Sequence, residues 1–379
     1  MTWRGATTVF VGLALAAAVV SGPTSGGEAG IAGRVKRTCD RAAGPSGHDS
    51  APGTLKRPYR TVRRLLAGLR PGGVGCLLSG GFVENVSFDR GGAPGRPITL
   101  RGAPGVRARI LGSVLVRNTA NDVTVEDLAV DGHDASQVTF QVLGDRVTLR
   151  DLNITNRNKS GTSYNGICFA AGHGFEANAA NTASGLTITR SRIHNCGDDG
   201  HEHGVYLEST RNALIVDSYF YGNPGYGVMM YPDAQGSLIE YDVIDGNSSK
   251  CRANLTFSGE APGGEYSQPH GSSNNAVRHS LITNSLCRYN VESYYPTGSL
   301  RGVGNVVDHS CVWNAPLRNF ARSPGYTQRD NIDDAPRYVN RAGHDFRLQS
   351  GSPCVGLGPA AIQPGSSAAR RHAALAKPS

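Results

Sequence analysis

VTVEDLAVDG, residues 123–132, is one copy of a ten-residue unit that the chain writes seven times. The others are VTLRDLNITN from Val147, LTITRSRIHN from Leu186, ALIVDSYFYG from Ala213, SLIEYDVIDG from Ser237, NAVRHSLITN from Asn275 and NVVDHSCVWN from Asn305. An apolar residue fills the third and eighth places of every copy, and Asn or Gly the tenth. Successive copies begin 24 to 39 residues apart, so the shortest period is too small for a helix pair and the longer ones carry inserted loops. Within a copy the favoured residues are β-branched, and a two-residue strand period breaks at a bend. After a short turn a second strand recurs: NGICFAA from Asn165, HGVYLES from His203, YGVMMYP from Tyr226, ANLTFSG from Ala253 and YNVESYY from Tyr289. Coils of two or three short strands separated by Gly/Asn bends predict an all-β chain, a parallel β-helix whose coils stack about 4.8 Å apart.

The repeat assigns core rows. One row of the second strand is Ile167, Val205, Val228, Leu255 and Val291, and a parallel row is Phe169, Leu207, Met230 and Phe257. Asn and Gly at the bends tolerate left-handed backbone, and stacked Asn side chains can bond to one another. The N-x-S/T sequons at Asn85, Asn153, Asn158, Asn247 and Asn254 read as by-products of this Asn-rich pattern. Asp242 falls in an inward row otherwise made of Leu and Ser; it is either hydrogen-bonded to its Ser neighbours or displaced by a one-residue slip of register. Val62, Leu65, Leu66 and Leu69 have helical spacing, predicting a short N-terminal helix that covers the open end of the core.

Composition sets the setting. Gly is abundant at 50 of 379 residues, Met and Trp are rare, and the charged fraction is 18%, a balance that favours short strands and turns. Residues 1–29 read as a secretory signal: Arg4 precedes an apolar run from Thr8 to Val20, followed by small residues through Gly27. That run is too short to span a bilayer, and no other stretch could, so no membrane insertion is expected. The β-helix is expected over 38–359 and a disordered tail over 360–379. The formal charge of +8 sits mostly in the tails, at Arg4, Arg34, Lys36, Arg37, Arg370, Arg371 and Lys377. A near-neutral middle argues against a nucleic-acid partner. Eight cysteines, an even number, fit an exported, oxidised protein. Cys251 and Cys287 occupy the same place on successive coils, within bridging distance at about 4.8 Å. Cys39–Cys76 is expected across the cap, with Cys168–Cys196 and Cys311–Cys354, the last two partly by elimination. The chain is expected to be a secreted monomer.

Longer segments carry a family likeness. GTLKRPYRTVRRLLAGLRPGGVGCLLSGGFVENVSF (53–88) resembles the opening of secreted right-handed parallel β-helix proteins of the pectate-lyase-like superfamily. GAPGRPITLRGAPGVRARILG (92–112) resembles their first coil, and HDFRLQSGSPCVGLG (344–358) their closing strand. HGVYLEST (203–210) and GYGVMMYPDAQGSLIEYDVIDGN (225–247) resemble bacterial β-helix repeat proteins. The likeness covers Cys39 to Gly358 and implies a right-handed helix. It also implies a carbohydrate partner, because lyases, epimerases, polygalacturonases and phage tailspikes of this superfamily bind a long glycan along one outer face. Fold alone does not choose among such activities. The Asp-Pro-His-Asp signature of alginate epimerases is absent. Gly197-Asp198-Asp199 and His203-Gly204 match fragments of the polygalacturonase pattern, but here they share one turn, and no Arg-x-Lys follows them.

Outward places of the second strand form three rows across coils: His203, Tyr226, Ala253, Tyr289; Tyr206, Met229, Thr256, Glu292; and Glu208, Tyr231, Ser258, Tyr294. Arg252 and Arg288 align just before the strand. Tyrosine beside ionic groups suits sugar binding, so Tyr226, Tyr231, Tyr289, Tyr294, Glu208 and Glu292 are candidate substrate contacts. β-Elimination on a uronate polymer needs a cation on the carboxylate, a base for the C5 proton and an acid for the leaving oxygen. Arg252 and Arg288 are candidates for the first, and His203, His201 and Tyr206 for the others. Each has a structural alternative: His203 on a solvated strand edge, tyrosines as cross-coil packing, the arginines as flanks of a disulfide. Asp198, Asp199 and Glu202 are candidate Ca²⁺ ligands, or simply a polar loop. A glycosidase needs two carboxylates roughly 5–9.5 Å apart, whereas Glu208 and Glu292 lie three coils, about 14 Å, apart. The leading reading is therefore a secreted lyase-type protein acting on an acidic polysaccharide. The alternative is a non-catalytic carbohydrate-binding or cell-surface β-helix.

Overall fold

The structure is a computed structural model that describes residues 38–133, 138–157, 166–173, 182–261, 263 and 270–366. The expected signal segment, the sequon at Asn158 and residues 367–379 lie outside them. Three long parallel sheets run the length of the domain. Among the described residues the first has eleven strands, from Arg41–Ala43 to Thr327–Arg329, and the second has nine, from Gly80–Val83 to Cys311–Trp313. The third runs from Val86–Phe88 to Arg318–Phe320, with Ala183–Ser184 pairing beside the path. Each ten-residue unit supplies a first-sheet strand, a bend and a second-sheet strand; the other recurring strand builds the third sheet. This is the right-handed parallel β-helix anticipated from the repeat.

The third places (Val125, Leu149, Ile188, Ile215, Ile239, Val277, Val307) and the eighth places (Val130, Ile154, Ile193, Phe220, Ile244, Ile282, Val312) all lie in one buried core. The tenth-place bend is left-handed at Asn195, Gly222, Gly246, Asn284 and Asn314, as Asn and Gly there allow, and a second left-handed bend falls earlier in the unit. The fifth place is left-handed in every copy, with φ near +50° at Asp127, Asp151, Arg190, Asp217, Tyr241, His279 and His309. None of these is Gly or Asn, the residues that adopt this region at least cost. The stacked coils hold the shape, helped by ion pairs such as Arg190–Asp151.

The inward sixth place forms a ladder. Ser191, Ser218, Ser280 and Ser310 accept from the backbone N–H of the preceding coil and donate to a carbonyl two residues back. Asp242 stands in this ladder, fully buried, and Ser218 N–H donates to its Oδ1 at 2.6 Å. The register therefore holds, and burial pushes the Asp242 carboxyl well above the usual range. A second ladder links Asn223, Asn247, Asn254, Asn290 and Asn319 at the turn into the third sheet. Its members Asn247 and Asn254 are fully buried, so these two sequons are structural.

The first copy of the third-sheet strand is displaced from the expected rows. Phe169, not Ile167, pairs with Val205, and Ala171 with Leu207. Phe169 and Ala171 lie in the core, whereas Ile167, before the strand, packs with the outward residues Ala170 and Tyr206.

The N-terminal helix spans Val62–Ala67, capped by the Thr61 hydroxyl accepting from Arg64 N–H and by the Glu84 carboxylate accepting from Val62 N–H. Val62, Leu65, Leu66 and Leu69 are buried in the core. At the other end the antiparallel pair Tyr338–Asn340 and Asp345–Leu348 lays Phe346 and Leu348 against Tyr219, Tyr221, Val243 and Leu281 of the second sheet. The ordered chain continues past residue 359: Ala360–Ile362 forms a 3-10 turn with Ala361 and Ile362 buried. An Ala-rich composition suggests a loose tail, but this segment finds an apolar seat that composition does not reveal. All four disulfides form as paired above, with Cα separations of 5.6 Å (Cys39–Cys76), 5.3 Å (Cys168–Cys196), 4.8 Å (Cys251–Cys287) and 5.9 Å (Cys311–Cys354). No helix among the described residues is long and apolar enough to cross a membrane.

Candidate functional site

The outward rows of the third sheet align much as their spacing predicts. Tyr206 pairs with Met229, Met229 with Thr256, and Thr256 with Glu292. Ala253 pairs with Tyr289 and Ser258 with Tyr294. The row through Glu208 is looser, because the strand Val228–Gln235 carries an extra residue there and pairing resumes at Ser209–Asp233.

Outward does not mean exposed on this face. His203 is 4% exposed, and Tyr206, Glu208, Tyr226 and Glu292 are likewise buried. His203 Nδ1 accepts from Tyr226 N–H at 3.1 Å, and its ring packs edge-on against Tyr206. Gly225 makes this approach possible: a Cβ there would stand 2.3 Å from His203 Nδ1. Burial, with a smaller push from the Arg252 charge, lowers the imidazole pKa to about 3. His203 thus stands neutral and buried behind Tyr226, not on a solvated strand edge. Tyr206 stacks on Tyr231 with ring centroids 6.5 Å apart. The spacing places these residues on the outer face, but bulky neighbours close over them.

The loop before His203 is organised by Glu202. Its carboxylate accepts from the backbone N–H groups of Gly166, Asp198 and Asp199 at 2.8, 2.6 and 2.8 Å. A side chain at Gly197 would collide with this carboxylate, 2.1 Å from Oε2. Asp199 Oδ1 meets His201 Nδ1 at 3.0 Å, Arg252 reaches His201 Nε2 at 3.4 Å, and Arg252 Nε donates to Gly200 O at 3.1 Å. His201 and Arg252 therefore come together at an accessible place, apart from the buried His203. Glu202 is committed to the loop's amides. Among the described residues no group of three or more His, Cys, Asp or Glu side chains is placed to hold a metal ion. The expected Ca²⁺ set of Asp198, Asp199 and Glu202 does not fit one.

The accessible concavity lies farther along the sheet. A pocket of about 360 Å³ is lined by Arg288, Tyr289, Glu292, Ser293, Tyr294, Arg318, Ala321, Arg322 and Ser323. Glu292 Oε1 accepts from Tyr226 Oη and from Arg288, both at 2.8 Å. Burial raises the Glu292 carboxyl above its ordinary pKa, opposed by Arg288. Tyr294 is 61% exposed at the rim. Among the described residues neither Arg318 nor Arg322 has a carboxylate within ion-pair distance. Three arginines and one carboxyl thus line this pocket, a composition suited to an anionic ligand that Arg can grip bidentately.

The sequence expectation brought Arg288, Tyr289, Glu292 and Tyr294 to this place but missed Arg318 and Arg322. A signal was present. Arg318-Asn319-Phe320 continues Ala253-Asn254-Leu255 and Tyr289-Asn290-Val291, and Asn319 is the last rung of the buried Asn ladder. The last ten-residue unit ends at Asn314, one strand short of Arg318–Phe320.

The family model described as the right handed beta helix region matches residues 112–311. A pectate lyase, Pel9A, superposes with a TM-score of 0.54 at 14% identity, over 85% of this chain and 92% of that one. A GH136 lacto-N-biosidase from Eubacterium ramulus superposes with a TM-score of 0.51 at 12% identity, over 77% of this chain and 67% of that one. At such identities the likeness is one of fold. A search of curated proteins finds no match.

Proposed function

The chain belongs to the right-handed β-helix family, and on that premise we propose that it binds an acidic polysaccharide in the arginine pocket and cleaves it by β-elimination. The observation that carries this reading is the pocket's lining, in which Arg288, Arg318 and Arg322 stand with a single carboxyl, that of Glu292. Arg318 and Arg322 hold the uronate carboxylate, which stabilises negative charge developing at the adjacent C5. Glu292, whose pKa burial moves towards neutrality, accepts the C5 proton. The electron pair forms the C4–C5 double bond, the C4–O bond breaks, and the leaving oxygen takes a proton, for which the Tyr289 hydroxyl in the lining is the candidate. Hydrolysis is less well served, because it needs a second carboxyl within roughly 5–9.5 Å, and Glu208 is three strands from Glu292, about 14 Å. Four disulfides fit an oxidising, extracellular setting.

One observation favours the non-catalytic alternative. Glu292 is already hydrogen-bonded by Tyr226 and Arg288, which suits a fixed wall as well as a base. Incubation of purified protein with polygalacturonate, alginate and glycosaminoglycans, with and without Ca²⁺, separates the two readings. Absorbance from unsaturated products, lost in Glu292→Gln, supports elimination. Binding without such products on any polymer supports the gripping role.

A further inference from the structure

The pocket occupies only the last two strands of the third sheet, Tyr289–Tyr294 and Arg318–Phe320, with the turn that follows. A polymer lying along the sheet would cross one coil about every 4.8 Å. The coil on the pocket's N-terminal side offers it no bed. Ala253, Thr256 and Ser258, the outward residues of the adjacent coil, are buried. Tyr226 reaches across that coil to hydrogen-bond Glu292, closing the face beside the pocket. Tyr206, Glu208 and His203, three coils from Glu292, are buried as well, and Met229 and Tyr231 on the coil of Tyr226 are half-buried. The accessible volume, about 360 Å³, lies at the small end of ligand sites, which span roughly 300–1,000 Å³.

We propose, on the basis of the polysaccharide reading above, that the pocket accepts the end of an acidic glycan and not its interior. The chemistry of elimination selects which end. The sugar whose carboxylate is held loses the substituent on its own O4. The proton leaves C5, its electron pair forms the C4–C5 double bond, and the C4–O pair stays with the oxygen. That oxygen takes a proton and becomes the anomeric hydroxyl of the shortened chain. The sugar gripped by Arg318 and Arg322 is therefore at the reducing end, and the product released is a short unsaturated uronate. Tyr289 and Tyr294 at the rim supply ring faces for this sugar and its neighbour.

The test follows digestion of polygalacturonate and alginate by viscosity and by absorbance together, with oligouronates labelled at the reducing end run in parallel. The expected result is steady growth of absorbance with little loss of viscosity, and label in the shortest fragments from the first time point. Rapid viscosity loss with mid-length products would overturn the chain-end mode and leave the polysaccharide reading standing. If no polymer is cleaved, calorimetric titration with oligouronates of increasing length decides. Affinity that levels off by about three sugars supports chain-end binding, and affinity that keeps rising with length overturns it. No binding to any anionic glycan overturns both the inference and the reading beneath it.

Discussion

Arginines on the outer face of the first sheet and arginines at the end of the third sheet are the same side chain in opposite circumstances. On the first sheet they belong to ladders. Arg101 pairs with Asp127, Arg146 with Asp122, Arg190 with Asp151, and Asp308 is shared by Arg278 and Arg329. Each pair joins one coil to the next and leaves the face near balance. In the terminal pocket Arg288 has Glu292, whereas among the described residues Arg318 and Arg322 have no acid within ion-pair distance. A stacked fold can satisfy its own charges coil by coil, so an unbalanced cluster in a concavity points outward, to a ligand.

Removing the unbalanced pair should give the largest effect. Hydrogen bonds to charged groups are worth about 1.5–3 kcal/mol each, so Arg318→Ala with Arg322→Ala should weaken oligouronate binding by on the order of a thousandfold. The melting temperature should stay unchanged; calorimetric binding and thermal denaturation check both halves. A fall in stability equal to the fall in binding would place these arginines with the ladders.

Architectural polar groups should behave in the reverse way. Asn254 accepts from Asn247 through Oδ1 and donates to Thr283 O and Asn290 Oδ1. Asn254→Ala strands these buried partners and should cost about 2–4 kcal/mol of folding stability, read by denaturant titration. Any glycan affinity that remains in the folded fraction should match the parent.

Asp242 provides a pH-dependent case. Its carboxyl is raised in the folded state by burial, so its contribution is fully favourable below the unfolded pKa near ~4 and is lost as pH rises through the folded value. Asp242→Asn should therefore leave stability unchanged near pH 4 and raise it by about 1 kcal/mol or more at pH 7. A gain of equal size at both pH values would show that ionisation is not its source. The smallest change belongs to the surface ladder: Arg190→Ala should cost less than about 1 kcal/mol, without altering binding, because Arg190 and Asp151 are both partly solvated.

What could be read from the residues follows from periodicity. Cys251 and Cys287 share a place on successive coils, and their Cα atoms stand 4.8 Å apart as that place requires. The row Tyr206, Met229, Thr256, Glu292 is legible for the same reason, since a repeat acts as a ruler in two directions. Legibility fails where period two is ambiguous, as at Ile167 and Phe169, and where the unit loses its signature, as at Arg318-Asn319-Phe320.

The amino-acid pattern by itself determined the helix of coils, most of its inward rows and the Cys251–Cys287 bridge, because each is a consequence of spacing along a regular stack. Only the tertiary structure decided which outward residues meet solvent. Exposure depends on how far neighbouring side chains reach, and Tyr226 crossing a coil of small residues to Glu292 is a long-range event that no local period encodes. That reach closes the face beside the pocket that Arg288, Arg318 and Arg322 line.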